Sequence, residues 1–111
     1  MRQVVEIQEP TAQNNYTWYR LYDDGWVEQG GIVRANVMTS FPIQMADTNY
    51  IATGTARIAS GITQAMATLV TDRTTTQIQF VYFQTGGVDV DYIIAGKSAR
   101  DPIMLKECIK Y

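Results

Sequence analysis

Thr17-Trp18-Tyr19-Arg20-Leu21-Tyr22-Asp23-Asp24-Gly25-Trp26-Val27-Glu28-Gln29-Gly30-Gly31 is the stretch whose reading decides the fold. It reads as two aromatic strands around an acidic turn closed by glycine. Aromatic and β-branched residues suit a pleated surface, and Asp-Gly between such runs is a strong hairpin signal. Two registers compete. A two-residue turn at Asp24-Gly25 sets Leu21 opposite Glu28 and Tyr22 opposite Val27. A three-residue loop, Asp23-Asp24-Gly25, sets Tyr22 opposite Trp26, Leu21 opposite Val27, Arg20 opposite Glu28 and Trp18 opposite Gly30. The second register pairs aromatic with aromatic, apolar with apolar and cation with anion, each pair being worth roughly 0.2–1 kcal/mol. It also gives Gly25 the left-handed position that closes such a loop, and lets Gly30 leave room for the Trp18 ring. The three-residue loop is the expectation.

Working outward, the period of two persists. In Ile32–Met38, Val33, Ala35 and Val37 share one face and Arg34 and Asn36 the other, the pattern of a half-buried strand. Phe41-Pro42 breaks it, since proline belongs at an edge or in a loop. From Tyr50 to Ala59, Tyr50, Ala52, Gly54, Ala56 and Ile58 share one face; Thr53, Thr55 and Arg57 share the other. Small residues on the apolar side imply that another layer comes close. Ser60-Gly61 signals a turn. Gln64–Thr71 is too short for an independent helix and is read as a strand. Asp72-Arg73-Thr74 is read as a turn. Thr75–Gln84 places Ile78, Phe80 and Tyr82 on one face and Gln77, Gln79, Val81 and Phe83 on the other. After the loop Thr85-Gly86-Gly87, Val88–Gly96 aligns Val90, Tyr92 and Ile94. Residues 1–15 read as a short strand or extended lead-in followed by a linker. Ile103–Tyr111 adds a last strand, with Pro102 opposing any helix from upstream. Short strands punctuated by turns make the chain all-β, an antiparallel sandwich or barrel, of which the β-sandwich is carried forward. Trp18, Tyr22 and Trp26 lie behind Tyr19, Leu21 and Val27, so a second face asks for burial and self-association is expected.

Composition narrows the chemistry. The chain has 111 residues, formal net charge -2, one cysteine and no histidine. This length suits a single domain with a real core. A slightly acidic balance gives no electrostatic footprint for nucleic acid. The first residues lack the apolar run of a signal peptide, and no stretch reaches the length of a membrane span. Cys108 has no second cysteine to pair with and no histidine to activate it. Without histidine the usual neutral-pH base, the commonest metal ligand and every Ser-His or Cys-His nucleophile are missing.

The motif W-Y-R-x-Y-x-D-G-W-x-E-Q-G-G, carried by Trp18 to Gly31, resembles the opening of a C-terminal domain at the tips of bacteriophage tail fibres. Phe41-Pro42-Ile43-Gln44-Met45-Ala46-Asp47-Thr48-Asn49-Tyr50 resembles that family's F-P-I…F/M-x-D-x-x-Y segment, and Ile94-Ala95-Gly96-Lys97-Ser98-Ala99 its closing strand. The order agrees from about Tyr16 to Ala99. The closing strand lacks the family's tryptophan near Tyr92 or Ile93, and the chain continues through Asp101-Pro102 to Tyr111. The resemblance implies a parallel homotrimer on a fibre axis, residues 1–15 leading in from the shaft and residues 16–111 forming the tip. It implies a virion protein made in the host cytoplasm that binds a bacterial surface glycan or protein without catalysis; from charge, hydropathy and the missing histidine, no cofactor, metal, nucleic acid or membrane insertion is expected.

The residues themselves offer several candidate sites. A flat ring stacks on the apolar face of a sugar, so Tyr16, Tyr50 and Tyr82 are candidate receptor platforms. Asn14, Asn15, Asp72, Arg73, Asp89 and Asp91 are polar partners placed on loops. Set against this, any single aromatic is more often core and any single charge more often solvated surface. Trp18, Arg20, Tyr22, Gly25, Trp26, Glu28 and Gly30 are assigned to the architecture of the hairpin. Asp89 and Asp91 share a strand face and are the pair to consider for a carboxylate-dependent depolymerase, which needs two carboxyls about 5–5.5 Å apart in the retaining case. The plainer alternative is a solvated strand. Clustered oxygens there lack the D-x-D-x-D-G pattern of a calcium loop. Gly30-Gly31 and Gly86-Gly87 have no lysine-serine pair to make a phosphate loop. A domain that only caps and trimerises a fibre is the remaining rival.

Overall fold

The computed structural model describes residues 2–57, 69–81 and 88–100. Within them lie strands β1 (Val4–Gln8), β2 (Trp18–Tyr22), β3 (Trp26–Arg34), β4 (Thr39–Ser40), β5 (Ile51–Arg57), β6 (Leu69–Arg73), β7 (Gln77–Val81) and β8 (Asp89–Lys97). Five form one sheet in the order β1-β2-β3-β8-β5, and three form a second, β4-β7-β6. All neighbours are antiparallel. The chain is all-β. The expected strand beyond Ile103, the upstream part of Gln64–Thr71, Tyr82, Phe83 and Cys108 lie outside the described residues.

The β2–β3 hairpin has the register of the three-residue loop: Trp18 pairs with Gly30, Arg20 with Glu28 and Leu21 with Val27. Gly25 sits at φ 88° and donates its N–H to the Tyr22 carbonyl at 3.0 Å. The Trp26 N–H donates to Asp24 Oδ1 at 3.0 Å, the local bond that makes aspartate a turn residue. Partial burial raises the Asp24 pKa, but that amide, Arg2 and Lys97 together outweigh it and hold the carboxyl below its ordinary value. Replacing Gly25 with alanine forces a Cβ into the left-handed region. The expected cost is about 1 kcal/mol, read as a fall of about 4–8 °C in the midpoint of thermal unfolding.

β3 is longer than a hairpin arm. It runs through Gly30-Gly31 without a break and ends at Arg34, so the strand expected over Ile32–Met38 is its tail. The chain then turns at Asn36, φ 65°, where the Ala35 and Asn36 amides donate to the Val88 and Phe80 carbonyls at 2.8 and 2.7 Å. Those two bonds stop the alternation, and Val37 emerges exposed.

The inner faces follow the sequence period. Leu21 and Val27 of the hairpin, Val90, Tyr92 and Ile94 of β8, and Ile78 and Phe80 of β7 join one buried cluster, so both sheets share a core. β5 contributes small residues to it. A Cβ on Gly54 would come within 2.8 Å of the Phe80 ring, so the second sheet does approach there.

The Phe41–Tyr50 segment lies across the ends of both sheets. On one side Ala46 and Ala99 amides link it to β8 and its continuation; on the other, Phe41 and Met45 amides donate to Thr76 and Thr75 carbonyls. Its inner anchor is Gln29 on β3, wholly buried. Gln29 Nε2 donates to the Ile43 carbonyl at 2.8 Å, and its Oε1 accepts the Ile43 N–H at 2.9 Å. The side chain thus imitates a strand neighbour.

Asp72 and Arg73 belong to β6, not to a turn. The turn starts one residue later, where Thr74 Oγ1 accepts the Thr76 and Gln77 amides at 3.1 and 2.9 Å. A threonine side chain supplies the turn chemistry that a run of β-formers conceals.

Burial also sets how the fold meets alkali. Tyr92 has its pKa pushed up to about 12 by burial, and Tyr50 is raised by burial as well, against an opposing pull from Arg73. A raised folded pKa means that the neutral phenol is the form the fold holds. The stabilisation is complete below the unfolded value of about 10 and is lost as pH rises through about 12. We expect two phenols to ionise late in an ultraviolet titration, and stability to fall by roughly 2–3 kcal/mol from Tyr92 over that window.

Candidate functional site

The outer face of the five-stranded sheet carries what the core excludes. Its rows run across the strands: Trp18, Gly30, Ile93 and Thr53; then Ile32, Asp91 and Thr55; then Arg34, Asp89 and Arg57. Gly30 has no side chain and Thr53 a short one, so the surface dips between a raised wall at Trp18 and the long Arg57. Continuing the β2–β3 register places Tyr16 beside Ile32, and the Ile32 N–H donates to the Asn15 carbonyl at 3.1 Å. The result is a cleft of about 600 Å³ bordered by Pro10, Tyr16, Trp18, Ile93, Arg57 and Asp91. That size falls in the range of about 300–1,000 Å³ typical of small-ligand sites.

Tyr16 is held unusually. Asn15 and Tyr16 both have left-handed backbones, at φ 57° and 56°. Asparagine tolerates this region; an aromatic residue does so only when its surroundings enforce it, at a cost of order 1–3 kcal/mol. The surroundings here are bonds. The Tyr16 N–H donates to the Thr11 carbonyl at 2.8 Å, and Asn14 Oδ1 accepts both the Thr11 and Thr17 amides at 3.0 Å. Asn14 Nδ2 reaches back to the Glu9 carbonyl. Asn14 therefore staples the loop. The ring of Tyr16 is left half in solvent, 50% exposed.

Across the cleft, Arg57 Nε donates to Asp91 Oδ1 and Oδ2 at 3.1 and 2.9 Å. The hydrogen bond and charge of Asp91 raise the Arg57 pKa, with Asp89 and Tyr16 adding smaller contributions in the same direction, so these groups share one electrostatic neighbourhood. Asp89 faces Arg34 at 3.9 Å. Two carboxylates and two guanidiniums leave the patch neutral. Asp89 and Asp91 stand on β8, on its exposed face, and not on loops.

The other expected residues fall elsewhere. Tyr50 is buried: its ring meets Phe41 edge-on with centroids 5.7 Å apart, Arg73 lies over it at 5.0 Å, and its hydroxyl donates to the Thr74 carbonyl at 2.8 Å. Neither ring face remains for a sugar, so Tyr50 is a core residue. Arg73 also donates to the Tyr50 carbonyl at 2.6 Å, which fixes it to structure, while Asp72 is exposed on β6 of the other sheet. Of the expected residues, Tyr16 and Asp91 thus line the cleft, Asn14 and Asn15 belong to the loop that holds Tyr16, and Asp89 stands one row further along the same face. Arg57, Thr53, Thr55 and the cleft-facing role of Trp18 were not singled out. The alternation placed Thr53, Thr55 and Arg57 on the polar face of their strand; the missing step was that β8 lies beside it.

The outer aromatics of the hairpin are covered in part within the chain. Arg2 lies over Tyr22 at 5.5 Å and over Trp26 at 5.1 Å while pairing with Asp24 at 2.8 Å, and Arg20 lies over Trp18 at 5.6 Å. Tyr22 donates its hydroxyl to Glu28 at 2.9 Å. This arginine layer answers some of the demand for burial that the sequence pattern raises. Truncating Arg2 to alanine removes two stacking contacts and an exposed ion pair; we expect a loss of about 1–2 kcal/mol, seen as a lower urea midpoint that is only weakly salt-dependent.

Among the described residues no group of three or more carboxylate or thiol side chains converges as a metal site, and no helix is long and apolar enough to cross a membrane. Comparison of the chain with protein-family models, with curated proteins and with solved structures returned no match.

Proposed function

We propose that this chain is a non-enzymatic binding module, the tip of a bacteriophage tail fibre, which attaches to a glycan or protein on the bacterial surface during adsorption. The observation that carries the reading is the cleft on the outer sheet face. A tyrosine held there by left-handed backbone and a web of loop bonds faces an arginine–aspartate pair, on a rigid sheet. Strain maintained at an exposed aromatic favours a ligand role over a packing role, because packing gains nothing from it. The motif resemblance from Trp18 to Gly31 supplies the fibre context.

The domain is further read as an antiparallel β-sandwich assembled as a parallel homotrimer. The shared core and the contact line of Gly54 with Phe80 support the sandwich. The exposed Ile51, Val37 and Met38 offer apolar surface for self-association, and three copies multiply a weak single-site affinity through avidity. Asp89 and Asp91 support binding over hydrolysis: each lies in the open beside an arginine, whereas a general acid needs a dry pocket that keeps its proton.

Labelled domain applied to bacteria susceptible to the parent phage tests the reading. It should decorate the cells and compete with phage adsorption, with a solution mass of about three times the 12.5 kDa subunit. A trimer that binds no cell or surface extract would leave a structural cap instead. Loss of polysaccharide viscosity on mixing, abolished by substituting Asp89 and Asp91 together, would make the protein a depolymerase.

A further inference from the structure

We infer that the outer-face cleft takes an uncharged pyranose ring, with Tyr16 as its stacking platform and Asp91 and Arg57 as the pair that reads its hydroxyls. This rests on the receptor-binding reading above and goes further, because it fixes the ligand class and the residues.

The lining makes the choice. Tyr16 offers an aromatic face at the rim, half exposed, while Arg20 already occupies the Trp18 ring and leaves that indole as a side wall. A sugar has an apolar face of C–H groups and an edge of hydroxyls, and this cleft presents an apolar side and a polar side in that arrangement. Ile93, 51% exposed at the floor, adds apolar contact that a peptide backbone or a phosphate would not use. On the polar side a carboxylate accepts two vicinal hydroxyls, and a guanidinium donates to hydroxyl or ring oxygens. Thr53 and Thr55 border the same floor and can do either.

The pairing of the charges favours a neutral ligand over an anionic one. Arg57 is already engaged through Nε by Asp91, and Asp89 lies one row further along the same face. A uronate or phosphate entering the cleft meets the Asp91 carboxylate and must compete with it for Arg57. A neutral ring keeps the pair intact and uses its outward atoms. The sheet frame also matters: Asp91 and Arg57 stand on adjacent strands, so their separation is set by backbone pairing and not by a flexible loop.

The test uses whole domain on an array of bacterial polysaccharides, some with repeating units of neutral hexoses alone and some bearing uronate, sialate or phosphate. Tyr16→Gly is the informative variant, since glycine suits the left-handed backbone that tyrosine holds under strain. The thermal midpoint should stay level or rise while affinity for a neutral glycan drops at least tenfold. Tyr16→Asn, also tolerant of that backbone, should behave alike. Asp91→Asn should weaken binding fivefold or more, and Asp72→Asn on the other sheet should leave it unchanged. Neutral-glycan binding that survives Tyr16→Gly and Asp91→Asn would overturn the placement, and binding confined to acidic glycans would overturn the ligand class. Binding to cells with no glycan bound would overturn both while leaving a protein receptor. Failure on cells and glycans together would remove the receptor-binding reading as well.

Discussion

Gly30→Ala should come close to unfolding the protein. Gly30 lies at the crossing of β2, β3 and β8, where an added Cβ would run into the Tyr92 carbonyl oxygen and sit 3.0 Å from the Trp18 Nε1. The indole can shift; the carbonyl belongs to β8, which is paired with β3 on one side and β5 on the other, and cannot move without disturbing that ladder. Overpacking in a core costs typically about 1–3 kcal/mol, and a backbone obstacle belongs at or above the top of that range. Against a total stability of about 5–15 kcal/mol, a loss of 3 or more leaves a marginal domain. Urea unfolding followed by tryptophan fluorescence reads it directly. The identity of the obstacle gives a second arm: combining Gly30→Ala with Trp18→Leu frees the indole side only, so stability should not return. Recovery in the double variant would mean that the glycine serves the Trp18 ring alone.

The second large effect belongs to Gln29. Replacing it with leucine keeps the volume approximately and removes both bonds to Ile43. The Ile43 N–H and carbonyl would then stay buried without partners, each costing about 1–3 kcal/mol. Several kcal/mol in total is expected, concentrated in one place. Hydrogen exchange should quicken at Ile43 and along Phe41–Tyr50, while amides of the β2–β3 hairpin hold their protection at denaturant concentrations below the unfolding transition. Gln29→Glu should be no better, since a carboxylate cannot donate to the Ile43 carbonyl. Uniform loss of protection across both sheets would show that the segment and the hairpin open as one unit.

These two residues mark how far the sequence could be read. The hairpin register was legible because everything that sets it is local: a loop glycine, two acidic residues and pairs within a dozen positions. Gln29 was not singled out, although its parity with Leu21 and Val27 puts it on the buried face. A glutamine there has to find a partner, and the partner is fourteen residues away in a proline-containing segment with no periodicity. Tyr50 follows its parity: it heads the apolar set Tyr50, Ala52, Gly54, and that pattern by itself implies the burial observed. Arg57 and Asp91 were both in view, one on a polar strand face and one on another, but their meeting depends on β8 inserting between β3 and β5. No local residue choice announces that insertion. Nor does Asn14-Asn15-Tyr16 announce a left-handed tyrosine, since the asparagines alone would satisfy the expected turn.

The proposed function rests on the same contrast. The inner faces obey the alternation and explain themselves as core. The outer face of the large sheet keeps a neutral, partly aromatic depression whose rim residue is maintained against its own backbone preference. The proposed binding role requires that face to be where a ligand meets the protein. Backbone amide shifts of labelled domain, followed during titration with oligosaccharide released from the surface of susceptible bacteria, test this most directly. Shifts should centre on Thr53, Thr55, Arg57, Asp91 and Ile93, with Tyr16 among the largest. Shifts confined to β6 and β7, or none at saturating oligosaccharide, would contradict it.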